Sequence, residues 1–104
     1  MTIKILTCVL VSVYHTKAED KFIYFWRPDE KGYTKDLTNA GRYNIYANNE
    51  RYNNMRTMSL DVNGEDYSKL ERVIDEDHVS VKNNAFNRRV LGLSIDGRGL
   101  KRGI

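Results

Sequence analysis

Hydrophobic and β-branched residues occur along this chain in short runs, and polar segments rich in asparagine and charge separate the runs. The first run, residues 3–14, is the longest and predicts a buried strand. Residues 21–26, KFIYFW, predict a second strand, because aromatic and β-branched side chains favour extended backbone. A polar loop joins the two runs, so we expect an antiparallel hairpin. Pro28 ends the second strand, since proline has no N–H to donate to a sheet.

Two further strands follow from weaker alternation, over residues 42–47 and 55–62. Between the second and third strands, Thr34 is a candidate cap for a short helical segment over residues 35–40. Gly41 would end that segment in the left-handed conformation that glycine adopts readily.

The strongest helical pattern covers residues 66–77. Its apolar side chains fall on one face at helical spacing: Tyr67, Leu70, Val73 and Ile74. Residues 78–81 predict a short strand. A second, short helix is expected over residues 85–91, with Asn83 or Asn84 as its cap.

Strands and helices mixed in one chain of 104 residues predict an α+β fold. We expect a small, mostly antiparallel sheet with an N-terminal hairpin, one main helix (about 66–77) and one short C-terminal helix. A chain of this length is expected to form one domain. Residues 1–96 are predicted to form that domain. Residues 97–104 are predicted to be a flexible basic tail, because three of these eight residues are glycine.

Positive charge is concentrated at the C-terminal end. Residues 1–81 carry 11 lysines and arginines against 13 acidic residues, whereas residues 82–104 carry six against Asp96 alone. A basic end attracts anionic partners such as nucleotides, nucleic acid or an acidic protein surface. Arginine suits phosphate and carboxylate, although such residues often serve only solubility. The candidate ligand contacts here are Arg88, Arg89, Arg98 and Arg102.

The apolar N-terminal run also resembles a short signal peptide, but Thr7 and Ser12 dilute it and a poor cleavage context follows Tyr14. The run is about half the length of a membrane span. We therefore expect a cytoplasmic protein that makes no membrane contact. Cys8, the single cysteine, is expected to be a small buried hydrophobe. The long apolar strand needs cover, which makes a homo-oligomer a further expectation.

The segment over residues 25–43, FWRPDEKGYTKDLTNAGRY, has the most distinctive composition. Rings and guanidinium groups in turn-forming sequence are typical of a recognition surface, where rings stack on bases and arginines contact phosphate. The alternative is structural: the rings pack the turn onto the sheet. The candidate ligand-binding residues of the segment are Trp26, Arg27, Tyr33, Arg42 and Tyr43.

The spacing of this segment resembles a motif of small uncharacterised bacteriophage proteins. In that motif a tryptophan-basic-proline turn precedes Gly-Tyr-Thr and an Ala-Gly-x-Tyr end, here between Trp26 and Tyr43. The resemblance covers about a fifth of the chain. It implies a phage-encoded accessory protein that acts in the host cell cytoplasm, with no chemistry assigned to the motif.

Catalysis has little support in the sequence. The two histidines, His15 and His78, suggest a small nuclease that uses acid–base chemistry, but nothing in the sequence places them together. The serines lack a nucleophile-elbow context, and no phosphate-binding glycine loop is present. The acidic residues before His78 fit a solvated helix end better than a metal site. We therefore expect a non-enzymatic protein without a metal or cofactor.

These observations favour a phage-type accessory protein that binds an anionic host target, either a signalling nucleotide or a nucleic acid, as a counter-defence inhibitor. The first alternative is a protein–protein inhibitor that recognises a host protein through an aromatic hot spot. The second alternative is the histidine-dependent nuclease. A single anion-binding site requires the aromatic segment and the basic C-terminus to meet in space.

Overall fold

The structure, a computed structural model, describes residues 4–46 and 49–103. The predicted start of the first strand at residue 3 and end of the third at residue 47 lie outside these ranges. Within them the chain forms nine strands: β1 (Ile5–Ser12), β2 (Phe25–Trp26), β3 (Tyr33–Thr34), β4 (Tyr43–Tyr46), β5 (Thr57–Asp61), β6 (Arg72–Asp75), β7 (His78–Val81), β8 (Leu93–Asp96) and β9 (Gly99–Arg102). Two helices complete the described residues: α1 (Glu65–Lys69) and α2 (Ala85–Leu91).

β1 is the central strand of the main sheet, and all of its pairings are antiparallel. β5 pairs along one edge, from Cys8 opposite Asp61 to Ser12 opposite Thr57. β4 and β2 share the other edge, and β3 continues the sheet beyond β2. The two remaining pairs, β6–β7 and β8–β9, form separate hairpins. A chain of mostly antiparallel strands with two helices fits the α+β class.

The hydrophobic core surrounds β1. This explains why the sequence of β1 is apolar throughout instead of alternating between apolar and polar residues. Every residue from Cys8 to Val13 is fully buried, as expected for a strand covered on both faces. Ile23 and Phe25 pack against it from the second strand segment. Burial raises the pKa of the Cys8 thiol, in agreement with the prediction of a buried, unreactive cysteine.

Several predicted elements are confirmed. Val11 pairs with Phe25 in the antiparallel N-terminal hairpin. The short helix occupies 85–91, its cap is Asn84, whose side chain accepts the Asn87 N–H, and Gly92 ends it at φ 70°.

The predicted main helix over 66–77 is wrong beyond Lys69. The chain leaves the helix at Leu70, and β6 follows. The reason is a tertiary contact: the fully buried side chain of Asn87 accepts the Glu71 N–H at 2.8 Å and donates to the carbonyls of Glu71 and Lys82 at 2.9 and 2.8 Å. These bonds hold the base of the β6–β7 hairpin in place of further helical turns.

The helical segment predicted over 35–40 is also wrong, because this stretch forms turns. Asp36 organises them: its carboxylate accepts the N–H of Thr38 at 3.0 Å and of Val79 at 3.1 Å. Gly41 does not adopt a positive φ. A Cβ there would lie 2.7 Å from a Tyr43 ring carbon, so the glycine is needed for close packing.

The predicted flexible tail forms the turn and second strand of a hairpin instead. Gly97 supplies the left-handed turn at φ 63°, and β9 then pairs with β8 along its whole length. The N–H of Gly103 donates to the carbonyl of Gly92 at 2.8 Å. The glycines therefore permit a tight turn rather than disorder. Neither described helix has the length and apolar character needed to span a bilayer.

Candidate functional site

Five rings from three chain segments gather on one surface, which we call the aromatic cluster: Tyr14, His15, Tyr24, Trp26 and Tyr33. Tyr14 and His15 belong to the turn after β1. Tyr24, just before β2, and Trp26 in β2 lie two residues apart, so these two rings share one face of the extended chain. β3 adds the last ring, because Tyr33 pairs directly with Trp26. Local strand geometry therefore assembles the cluster.

His15 and Tyr33 form the centre of the cluster. Their rings are stacked, with centroids 4.0 Å apart and planes 18° apart. Tyr14 and Trp26 each present an edge to the His15 ring at 5.3 Å. Stacked and edge-to-face pairs of this kind stabilise one another by about 0.5–1.5 kcal/mol each. The rings therefore form a preorganised surface.

Buried polar groups hold the rings in position. The Nε1 of Trp26 donates to Thr57 Oγ1 at 3.2 Å, and Ser12 Oγ lies 2.7 Å from His15 Nδ1. Ser12 is fully buried, so this pair orients the imidazole and does not present a serine nucleophile to solvent. Burial and the nearby Lys17 lower the pKa of His15, which leaves its ring neutral at neutral pH.

The cluster is open to solvent at two tyrosines and carries two cations. Tyr14 is 58% and Tyr33 47% exposed, so each offers ring surface to a ligand. The guanidinium carbon of Arg56 lies 4.9 Å from the centroid of the Tyr14 ring, and Lys17 Nζ lies 6.0 Å from it. Exposed rings interleaved with cations are the combination that single-strand-binding surfaces use.

The basic C-terminal hairpin contacts the chain next to each of these two cations. The Arg98 carbonyl accepts the N–H of Ala18 at 2.8 Å, and Gly99 bridges Lys17. At the other end of β9, Arg102 Nη1 donates to the carbonyl of Asn54 at 3.1 Å, two residues before Arg56. We name four residues the flanking cations: Lys17, Arg56, Arg98 and Arg102. These contacts join the basic C-terminus to the chain segments that carry Lys17 and Arg56.

Tyr43 and Arg27 fill a structural role in the same segment. The Tyr43 hydroxyl donates to the Arg27 carbonyl and accepts the Glu30 N–H at 3.0 Å. This bond closes the turn over Pro28–Glu30, against which Gly41 packs. The Arg27 side chain is exposed beside Trp26. For Tyr43 the structural alternative from the sequence is therefore the better description.

The remaining predicted arginines lie on other surfaces. Arg42 lines a groove with Leu37, which contains none of the cluster residues. Arg88 Nη1 donates to the carbonyl and side-chain oxygens of Asn83 at 3.1 and 2.8 Å, which binds it to its own helix start. Arg89 lines a depression on α2. The nine predicted site residues therefore do not form one pocket.

Sequence reasoning missed five participants: Tyr14, His15, Lys17, Tyr24 and Arg56. The i, i+2 spacing of two aromatics in KFIYFW was a usable signal for one of them. The others depend on sheet register, because Arg56 reaches Tyr14 only when β5 pairs with the end of β1. The Tyr14 N–H donates to the Arg56 carbonyl at 3.1 Å.

The second histidine belongs to a different constellation. His78 Nδ1 lies 2.5 Å from Asp36 Oδ2, and the His78 side chain is 64% exposed. Burial alone would raise the pKa of Asp36, but its hydrogen bonds to His78, Thr38 and Val79 together hold it well below the usual value. The hydrogen bond to Asp36 raises the pKa of His78. The partners of His78 and His15 are thus different residues.

Comparison with known proteins found no similar protein from which a function for this site could be inferred. No protein-family model, curated protein or solved structure matches the chain. Among the described residues, no group of three or more histidine, cysteine or acidic side chains is placed to hold a metal ion.

Proposed function

We propose that this protein binds an unpaired nucleic-acid base together with its phosphate. The base would bind on the aromatic cluster and the phosphate at the flanking cations. The observation that carries the proposal is the stacked His15–Tyr33 pair beside an exposed Tyr14 that Arg56 covers. A base has a flat face for Tyr33, and its phosphate is the partner that arginine prefers. A nucleotide and a single strand both provide such a base and such a phosphate.

The proposed act is binding without reaction. His15 is held neutral against a buried serine and serves as a stacking surface. His15 and His78 contact different partners, which leaves the nuclease alternative without a supporting contact. A duplex is a poor ligand for the same surface, because its bases are already stacked and only its phosphates would remain available.

The biological setting in this proposal comes from the resemblance of residues 26–43 to small bacteriophage proteins. An accessory protein that captures a host nucleotide or single strand in the cytoplasm would act as a counter-defence inhibitor without catalysis. The alternative, inhibition of a host protein through an aromatic hot spot, uses the same exposed rings. The two differ in salt dependence, since only phosphate binding releases counterions.

A binding titration with matched tyrosine variants tests the proposal. The probes are AMP, a cyclic dinucleotide, an eight-nucleotide oligo(dT) and a duplex. Binding is followed by the fluorescence of Trp26, which is the only tryptophan and contacts the His15 ring. Tyr33→Ala should weaken binding about 5- to 150-fold, because a stacked base contributes about 1–3 kcal/mol.

Tyr46→Ala is the matched control. Tyr46 is 54% exposed, close to the 47% of Tyr33, and it pairs with Ile5 at the far end of β1. That end lies about 24 Å from Ser12 at the rise of an extended strand. Equal losses for the two variants, or no binding of any probe, would overturn the proposal. If AMP binds tightly and oligo(dT) binds no more tightly, the ligand is a nucleotide. If oligo(dT) binds much more tightly than AMP, the ligand is a single strand.

A further inference from the structure

A second concave surface lies beside the β6–β7 hairpin, and we call it the hairpin groove. Its volume is about 290 Å³. Leu37, which is 3% exposed, and Val79 form an apolar floor. Tyr67 of α1 and Ile74 of β6 line it as well. It contains no residue of the aromatic cluster, so a ligand bound here would occupy a separate site.

Two arginines without acidic partners line the groove. Arg42 and Arg72 both line it, and neither takes part in an ion pair within the described residues. Arg72 is held in place: its guanidinium carbon lies 4.4 Å from the centroid of the Tyr67 ring, and Nη2 donates to the Tyr67 carbonyl. Guanidinium groups bind carboxylates through charge-assisted, often bidentate hydrogen bonds, so this lining favours a carboxylate ligand.

An exposed apolar side chain lines the groove two residues after Arg72 on β6. Ile74 is 74% exposed, the largest exposure of any large hydrophobic side chain in the described residues. An acidic turn follows it at Asp75, Glu76 and Asp77. From Arg72 to Asp75 the strand advances about 10 Å. A cation, an apolar side chain and acidic residues therefore follow one another along β6 and the turn after it, over the length of a short extended peptide.

We propose that the hairpin groove docks an extended segment of a partner protein in which an acidic, an apolar and a basic residue follow in order. The carboxylate faces Arg42 and Arg72, the apolar side chain covers Ile74 and Val79, and the basic group faces the acidic turn. Charge complementarity selects this occupant. The groove is open and below the roughly 300–1,000 Å³ of pockets that enclose small ligands, so it suits side chains of a larger partner.

The test is a titration of the ¹⁵N-labelled protein with short peptides, followed by amide chemical shifts. The probe is acetyl-Glu-Ile-Leu-Lys-amide, and the comparison peptide carries Gln in place of Glu. The Glu peptide should shift amides around residues 37, 67, 72–74 and 79 and bind more tightly than the Gln peptide. Arg42→Glu should weaken Glu-peptide binding about fivefold, because repulsion replaces attraction at a half-exposed pair.

Arg89→Glu makes the same charge change on α2 and should leave peptide binding unchanged. Arg42 is exposed, so the variant spectrum should retain the native dispersion. Equal binding of Glu and Gln peptides, or shifts outside the groove, would overturn the proposal. So would equal binding of hexanoate, which would identify a small acid, or concentration-dependent shifts of groove amides without peptide, which would identify a second copy of this chain.

Discussion

Removal of the Arg56 side chain is expected to reduce both the strength and the salt dependence of single-strand binding. The proposed phosphate contacts are the four flanking cations, of which Arg56 lies on the Tyr14 ring. For single strands the slope of log affinity against log salt is about −0.7 per neutralised phosphate, so four contacts predict a slope near −2.8. Arg56→Ala should bring the slope to about −2.1 by the same relation.

The assay is fluorescence anisotropy of labelled oligo(dT) at several salt concentrations, with wild type, Arg56→Ala and Arg89→Ala. Arg89 is an exposed arginine that lines a different depression, so its removal should leave the slope unchanged. A wild-type slope near zero would refute phosphate binding by the flanking cations. The role of Arg56 would be refuted if the two variants changed the slope equally.

Three predictions concern the scaffold. Asn87→Ala should destabilise the protein by about 3 kcal/mol in urea unfolding, because the three hydrogen bonds of a fully buried side chain are lost; wild-type stability would contradict this role. The contribution of the Asp36–His78 pair should be full between about pH 4 and pH 6.5, above the ordinary pKa of aspartate and below that of histidine, and be lost as the pH rises through the raised pKa of His78. A stability difference between wild type and His78→Gln that grew with pH would have the wrong sign. Gly41→Ala should lower the unfolding free energy by about 1–3 kcal/mol through overpacking, whereas Gly99→Ala, where a Cβ meets only one atom at 3.9 Å, should not.

The elements that local sequence determines could be predicted. The N-terminal hairpin follows from two apolar runs and a polar loop, and α2 from Asn84 and Gly92 at its ends. The residues after Lys69 could not be predicted in this way. Val73 and Ile74 satisfy helical spacing but also favour a strand, and Asn87, far along the chain, decides between them by binding the Glu71 backbone.

The candidate site shows the same division. Trp26 and Tyr33 were identified because they lie in one unusual segment, and the structure pairs them across adjacent strands. Tyr14 was interpreted as the end of a buried strand, whereas the chain turns after Ser12 and exposes its ring. The contribution of Arg56 depends on the pairing of β5 with β1. No local pattern contains that register, since it arises from burial of the whole sheet.

The prediction of a flexible tail was wrong because it took the glycines as a sign of flexibility. Glycine is common both in tight turns and in flexible termini, and only the pairing of the chain with another strand distinguishes the two. The partner here is β8, together with Lys17 across the sheet. This pairing places the Arg98 backbone against Ala18 and the Arg102 side chain against Asn54, close along the chain to Lys17 and Arg56.

The most direct test of base binding at the aromatic cluster is photocrosslinking with an oligonucleotide that contains 4-thiouridine, followed by mass spectrometry of the crosslinked peptides. Since crosslinking occurs only at direct contact, it locates the base without any substitution in the protein. Binding as proposed predicts adducts on Tyr33 and Tyr14, which excess unlabelled single strand should suppress. Adducts confined to α2 or to the β6–β7 hairpin, or adducts that competitor does not suppress, would contradict it.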